Sequence, residues 1–271
     1  MKRITTYFAS FILIFLFSAC GKHSSFYEID NTPPSTPSGL TALNGDNRVD
    51  LTWDPNYEHD LAGYNIYYSY SFDGKYTLIG SSKDNYFVDY GAHNGTTYYY
   101  AVTAYDFNGN ESDLSYENIN VTPRPEGKNE AISDYRRFPD NGGFSFTSYT
   151  TVPYDSKSAD FFFENYNDTL FIDVWNDSDI QDMGPTQDIY DIPYAPSEGW
   201  SPTKDAIAIP GHTYVIWTWD NHYAKIRVNS LTRDRMVFDW AFQTVNGNVD
   251  LKQHASNGER TQMQKTNSLK R

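Results

Sequence analysis

A chain of 271 residues with a formal net charge of −14 at neutral pH is ill-suited to nucleic acid, whose phosphates call for a Lys/Arg surface. It carries 23 Tyr, 17 Phe and 6 Trp but one cysteine, so no disulfide forms within it and its folded parts rest on core burial. The length suffices for one or two domains that each close a core.

The chain opens with Lys2 and Arg3, an apolar run from Tyr7 to Phe17, and the small residues Ser18 and Ala19 ahead of Cys20. A charged head, a short apolar middle and a small-residue exit describe an export signal over residues 1–19. The run is too short to span a bilayer, which takes ~20 apolar residues. Phe17-Ser18-Ala19-Cys20 resembles a bacterial lipobox, with Phe where Leu is usual. The resemblance implies cleavage before Cys20, lipid on its sulfur and new amino group, and residence in the bacterial cell envelope, at the outer membrane. Residues 20–38 then read as a tether, because Pro33, Pro34 and Pro37 among Ser and Thr favour an extended spacer.

From Gly39 the pattern changes to short strands with turns every 8–12 residues, the signature of a sandwich or barrel. Val49, Leu51 and Trp53 alternate with Asp50 and Thr52, which points Trp53 inward. Tyr64, Ile66 and Tyr68 form another alternating set, followed by Tyr76, Leu78 and Ile79, by Tyr86, Val88 and Tyr90, and by Tyr98, Tyr100, Val102 and Ala104. Leu51-Thr52-Trp53, Gly63 to Tyr68, Asn94 to Val102 and Gly109-Asn110-Glu111-Ser112 together resemble a fibronectin type III domain over about 35–124. That family has seven strands in two sheets. The resemblance places Trp53 in the core and Tyr98 at the tyrosine corner, where a phenol hydroxyl bonds to nearby backbone. It implies structure and no intrinsic chemistry. Asp106 to Glu111 has alternating oxygens but lacks the spacing of a calcium loop, and reads as a polar turn. Tyr67, Tyr68, Tyr70 and Tyr99 read as cross-strand aromatic pairs.

Thr122 to Glu130, with two prolines and a glycine among charges, reads as the boundary and linker between a first domain at 39–123 and a second at 131–252. The second domain is also β-rich. Phe161 to Phe163 and Leu170 to Trp175 read as a hairpin turned at Asn165 to Asp168. A long loop is expected from Asn176 to Lys204, and a run of that length is functional or unstructured. Gly211 to Trp219, Tyr223 to Val228 and Met236 to Thr244 form an antiparallel meander. In its middle strand Ala224, Ile226 and Val228 face a core, leaving Lys225 and Arg227 on the partly solvated side. This set resembles the terminal part of the HmuY-like family of surface lipoproteins, whose named member carries heme through two histidines. His212 and His222 are the histidines available for such a role here. The polar, basic tail 253–271 reads as disordered.

No nucleophile elbow, phosphate-binding glycine loop or zinc signature occurs, no motif calls for a cofactor or metal, and no catalytic residue is nominated. Asp177, Asp179, Asp182, Asp188 and Asp191 cluster in the long loop beside Trp175, Tyr190, Tyr194 and Trp200. Paired carboxylates beside aromatic rings suit glycans or calcium, whereas in so acidic a chain solvated loop acids are the plainer reading. The expectation is an all-β, non-enzymatic, lipid-anchored envelope protein. It meets the membrane through Cys20 and a protein or glycan partner through Trp175, Tyr190, Tyr194, Trp200, His212 and His222. A heme or small-ligand carrier and a carbohydrate-binding protein are the alternatives.

Overall fold

The computed structural model describes residues 30–252 and the short strands His254–Ser256 and Lys265–Thr266. The lipobox, including Cys20, lies outside the described residues. Met1–Asn31 forms a unit of its own, in which only Asp30 and Asn31 are described, while Thr32–Arg271 is a second compact unit containing everything below. Among the described residues no helix is long and apolar enough to cross a membrane.

The fold is all-β, a fibronectin-like sandwich followed by a second antiparallel β sandwich. In the first, β1 (Thr41–Gly45), β2 (Arg48–Thr52) and β5 (Tyr86–Asp89) form one sheet. The facing sheet contains β4 (Tyr76–Ser82), β3 (Leu61–Ser69), β6 (Tyr98–Asp106) and β7 (Asn118–Val121) in that spatial order. Strict alternation supplies the core, where Val49, Leu51, Ile66, Tyr100 and Val102 are fully buried. Trp53 sits among them, its ring edge-on to Tyr64 at 5.2 Å. The Tyr98 hydroxyl accepts the His93 amide at 3.0 Å. Asp106 caps its own turn by accepting the amides of Asn108 and Asn110, as a polar turn should. Tyr67 is not a surface residue: it is 1% exposed and donates to Glu111 at 2.7 Å.

The second sandwich packs one five-stranded sheet on another. The first of these has the order β13 (Asp179–Pro185), β15 (His212–Trp217), β16 (Tyr223–Leu231), β17 (Arg235–Gln243), β8 (Glu126–Ser133). The second has the order β10 (Thr150–Val152), β9 (Gly143–Ser145), β11 (Phe161–Tyr166), β12 (Thr169–Asp173), β14 (Asp205–Ile207). Between them lies an aromatic core in which Phe144, Phe146, Phe161, Phe163 and Phe238 are wholly inaccessible.

Four segments differ from the sequence reading. The expected long loop 176–204 contains β13, which pairs with β15 as an edge of the meander sheet. The expected linker 124–130 is largely strand: β8 starts at Glu126 and pairs with β17 as the edge of the meander sheet. The expected tether 20–38 ends early, since Pro34 and Pro37 are buried and the Ser35 amide donates to Glu58 at 2.7 Å. The expected disordered tail contains β18 (His254–Ser256), antiparallel to β7, and β19 (Lys265–Thr266), parallel to β4. The added strands have one cause: a sheet edge with unpaired backbone groups takes up whatever chain can reach it, whereas the tether is held by a side-chain acceptor and buried prolines.

Candidate binding face

The β11–β12 hairpin turns at Asn167 and Asp168, whose φ values of 51° and 65° are those of a two-residue turn that matches strand twist. That turn sets the register, pairing Phe162 with Asp173 and Glu164 with Phe171. Phe161 and Phe163 point into the core, so Phe162 and Glu164 must point out. On β12 and just past its end, Ile172 and Val174 are buried, which sends Asp173 and Trp175 to the same outer surface. On β14, Asp205 stands directly opposite Asp173.

The outer surface therefore carries an aromatic strip beside acids. Tyr154 stacks on Tyr135 at 4.4 Å, Tyr135 meets Phe162 edge-on at 5.4 Å, and Phe162 meets Trp175 at 5.0 Å. Trp175 ends the strip and is 38% exposed. Glu164 accepts from the Tyr135 hydroxyl at 2.9 Å and from Arg136 Nε at 2.7 Å. Asp205 accepts from Thr203 Oγ1 at 2.7 Å. Asp173 keeps one buried carboxylate oxygen without a hydrogen-bond partner. Burial, reinforced by the charges of Glu164 and Asp205, pushes the Asp173 carboxyl up to about 7.

The opposite outer surface, that of the meander sheet, is closed. The segment after β13 folds across it through a 3-10 turn at Ile189–Asp191, packing Ile192, Ala195 and Trp200 against Val215, Tyr223 and Leu251. Lys225, read from its alternation as half-solvated, is completely buried there and donates to the Ile192 carbonyl at 2.8 Å. Arg227 donates to the Thr186 carbonyl at 2.9 Å. Both cations serve as fasteners for loop carbonyls that have no strand partner, which is how a sheet face can be polar in sequence and dry in the fold. Desolvation, with repulsion from Arg124 and Lys252, holds the Lys225 ammonium well below the usual lysine range.

Arg124 joins the two sandwiches. It is 0% exposed. Its amide donates to the Gly45 carbonyl in the β1–β2 turn at 3.2 Å, and its Nη2 donates to the Leu251 carbonyl at 2.9 Å. Its Nη1 lies 3.5 Å from Glu126, which also accepts from the Tyr190 hydroxyl at 2.8 Å. Pro193 accepts the Leu251 amide at 2.7 Å, so the guanidinium gathers the loop, the C-terminal segment and β8, while the backbone amide of Arg124 reaches the first sandwich.

The structure distributes the six nominated binding residues rather than gathering them. Trp175 is on the open aromatic strip. Tyr190 and Trp200 are half-buried in the loop on the other sheet, Trp200 against Trp217 at 6.0 Å, and Tyr194 bridges to Asp250 in the same loop layer. His212 begins β15 and faces Asp182 at 3.0 Å. His222 follows the far end of that strand and faces Asp220 at 3.2 Å. A full strand separates them, roughly 20 Å at ~3.3 Å per residue. The loop acids do not converge either: Asp179 pairs with Lys204 at 2.6 Å, Asp182 with His212, and Asp188 and Asp191 cap the 3-10 turn. Phe162, Asp173 and Asp205 were absent from the sequence-based set. The parity of Phe161 and Phe163 carries the signal for Phe162, but the Asp173–Asp205 pairing depends on a strand reached across a long connection.

No known family's profile matches the chain. The amylopullulanase of Thermoanaerobacterium saccharolyticum is 37% identical over 132 residues, covering 48% of this chain and 10% of that protein. The chain thus spans about a tenth of the length of that curated relative. Among solved structures, an Fn3-like protein from Clostridium thermocellum is 28% identical with a TM-score of 0.29, covering 35% of this chain and 95% of that one. A DUF4466 family protein from Parabacteroides merdae is 10% identical with a TM-score of 0.42, covering 77% of this chain and 99% of that one. A fibronectin-like sandwich joined to a second β-rich sandwich is a scaffold consistent with a non-catalytic spacer or binding module, a role that fold alone does not decide.

Proposed function

We propose that the chain is a lipid-anchored, non-enzymatic protein of the bacterial cell envelope that holds a binding face outward from the membrane. One observation supports the scaffold part of this reading above the others. The two sandwiches are joined through buried Arg124 and a strand that begins two residues later, leaving no free linker between them. A junction of that kind transmits position, as a spacer must. The attachment rests on the Phe17-Ser18-Ala19-Cys20 signature. Three acyl chains, at ~0.8 kcal/mol per buried methylene, give attachment that does not reverse. The face presented is the aromatic strip ending at Trp175, the open surface of the distal sandwich.

Fractionation of cells expressing the full-length chain tests the reading. The native protein is expected in the membrane fraction with a fatty-acylated N-terminus at Cys20, and Cys20→Ala is expected to abolish acylation. A free thiol at residue 20 in protein washed from cells by buffer would contradict it.

A further inference from the structure

We propose that the outer surface around Trp175, Asp173 and Asp205 docks a lysine- or arginine-bearing segment of a partner protein. The proposal rests on the reading of the chain as a binding scaffold and names the chemistry of what it binds.

The first argument is charge complementarity. Asp173 and Asp205 stand directly opposite each other on neighbouring strands, an arrangement that is destabilising for like charges. Among the described residues neither is ion-paired with a lysine or arginine. Arg136, the nearby cation, is engaged by Glu164 through both Nε and Nη2. Asp173 retains a buried oxygen with no donor. A guanidinium or ammonium lying over the Asp173–Asp205 pair on the outer surface would relieve the repulsion.

The second argument is the ring beside the acids. Trp175 is two residues along from Asp173 on the same surface, and indole is the best side-chain platform for a cation. Phe162, in register with Asp173 and in contact with Trp175, gives the aliphatic stem of a lysine or arginine a place to lie. The chain's net charge of −14 draws basic partners in and repels acidic ones. A divalent cation fits less well, since Glu164 is already committed and two carboxylates fall short of the six to eight oxygens that calcium takes. Burial, reinforced by Glu164 and Asp205 and opposed by Arg136, displaces the Asp173 carboxyl upward, so a nearby cation would favour its charged form.

Isothermal titration of the full chain at pH 8, at low and high salt, with tetralysine and with a neutral β-glucan hexasaccharide, tests this. Saturable binding of tetralysine, weakened by salt, is expected. Trp175→Ala, Asp173→Asn and Asp205→Asn should each weaken it about tenfold or more, near 1.4 kcal/mol. Trp175→Phe should retain part of the affinity. Trp219→Ala, at a separate indole that is 63% exposed, should leave it unchanged. Near-UV circular dichroism confirms that each variant is folded. Failure of tetralysine to bind, binding that ignores Trp175→Ala and Asp205→Asn, or hexasaccharide binding lost with Trp175→Ala would each overturn the proposal, the last replacing it with glycan recognition. None of these results bears on Cys20 acylation, so the docking proposal and the anchoring proposal fail separately.

Discussion

The two sandwiches solve the same packing problem with different materials. The first closes its core with regular alternating strands and fastens its corner with a single phenol hydroxyl, that of Tyr98 on the His93 amide. The second packs phenylalanines between its sheets and then covers the far side of its meander with irregular chain, held by buried Lys225 and half-buried Arg227. A sandwich made by alternation alone can be read from its sequence. One finished by a loop cannot, because loop carbonyls need donors from the strand below and those donors look like solvent-facing residues. The second sandwich also leaves one surface bare, and there its acids are mismatched.

The largest expected effect comes from the guanidinium buried at their junction. Arg124→Met removes a donor to Leu251 and leaves Glu126 buried at the junction without its cation. Urea unfolding should show a loss of about 3–5 kcal/mol, the range for breaking a buried ion pair from one side. A loss under about 1 kcal/mol would mean that the guanidinium's bonds to Leu251 and Glu126 carry little of the stability.

Asp173→Asn should act in the opposite direction. The folded carboxyl sits at about 7 and the unfolded one at its ordinary value near 3.9, so between those values the folded chain holds a proton that the unfolded chain has released. Stability from this group is therefore present below pH ~4 and is lost as pH rises through ~7. The asparagine variant should match the native chain at pH 4 and exceed it at pH 8 by roughly 2–4 kcal/mol, an upper range for a side chain that is not wholly buried. Equal melting shifts at both pH values would show that the bare surface carries no electrostatic penalty. The smallest effect belongs to the first sandwich: Tyr98→Phe should cost about 1 kcal/mol, the net worth of one hydrogen bond, in equilibrium unfolding monitored by far-UV circular dichroism. A loss of several kcal/mol there would erase the contrast between a corner fastened once and a face fastened repeatedly.

Much of the fold was legible because period and turn chemistry are local. Val49 to Trp53 and Met236 to Phe242 show their buried side by alternation, and the Asn167-Asp168 turn names its own hairpin. What was not legible is what each edge and face meets. Glu126 to Glu130 reads as a charged linker, and becomes strand only because β17 offers it an open edge. Lys225 looks solvated until the Ile192 carbonyl is found above it. The candidate face was half legible. Trp175 stood out as an aromatic beside acids, but the acids that matter are Asp173 and Asp205, brought opposite each other by a pairing of β12 with β14 that no local pattern announces.

Scanning calorimetry of the full chain tests the central claim, that the two sandwiches form one mechanical body joined at Arg124 without a free linker, most directly. One cooperative transition is predicted, with calorimetric and van't Hoff enthalpies in agreement. Two separate transitions in the native protein would contradict it.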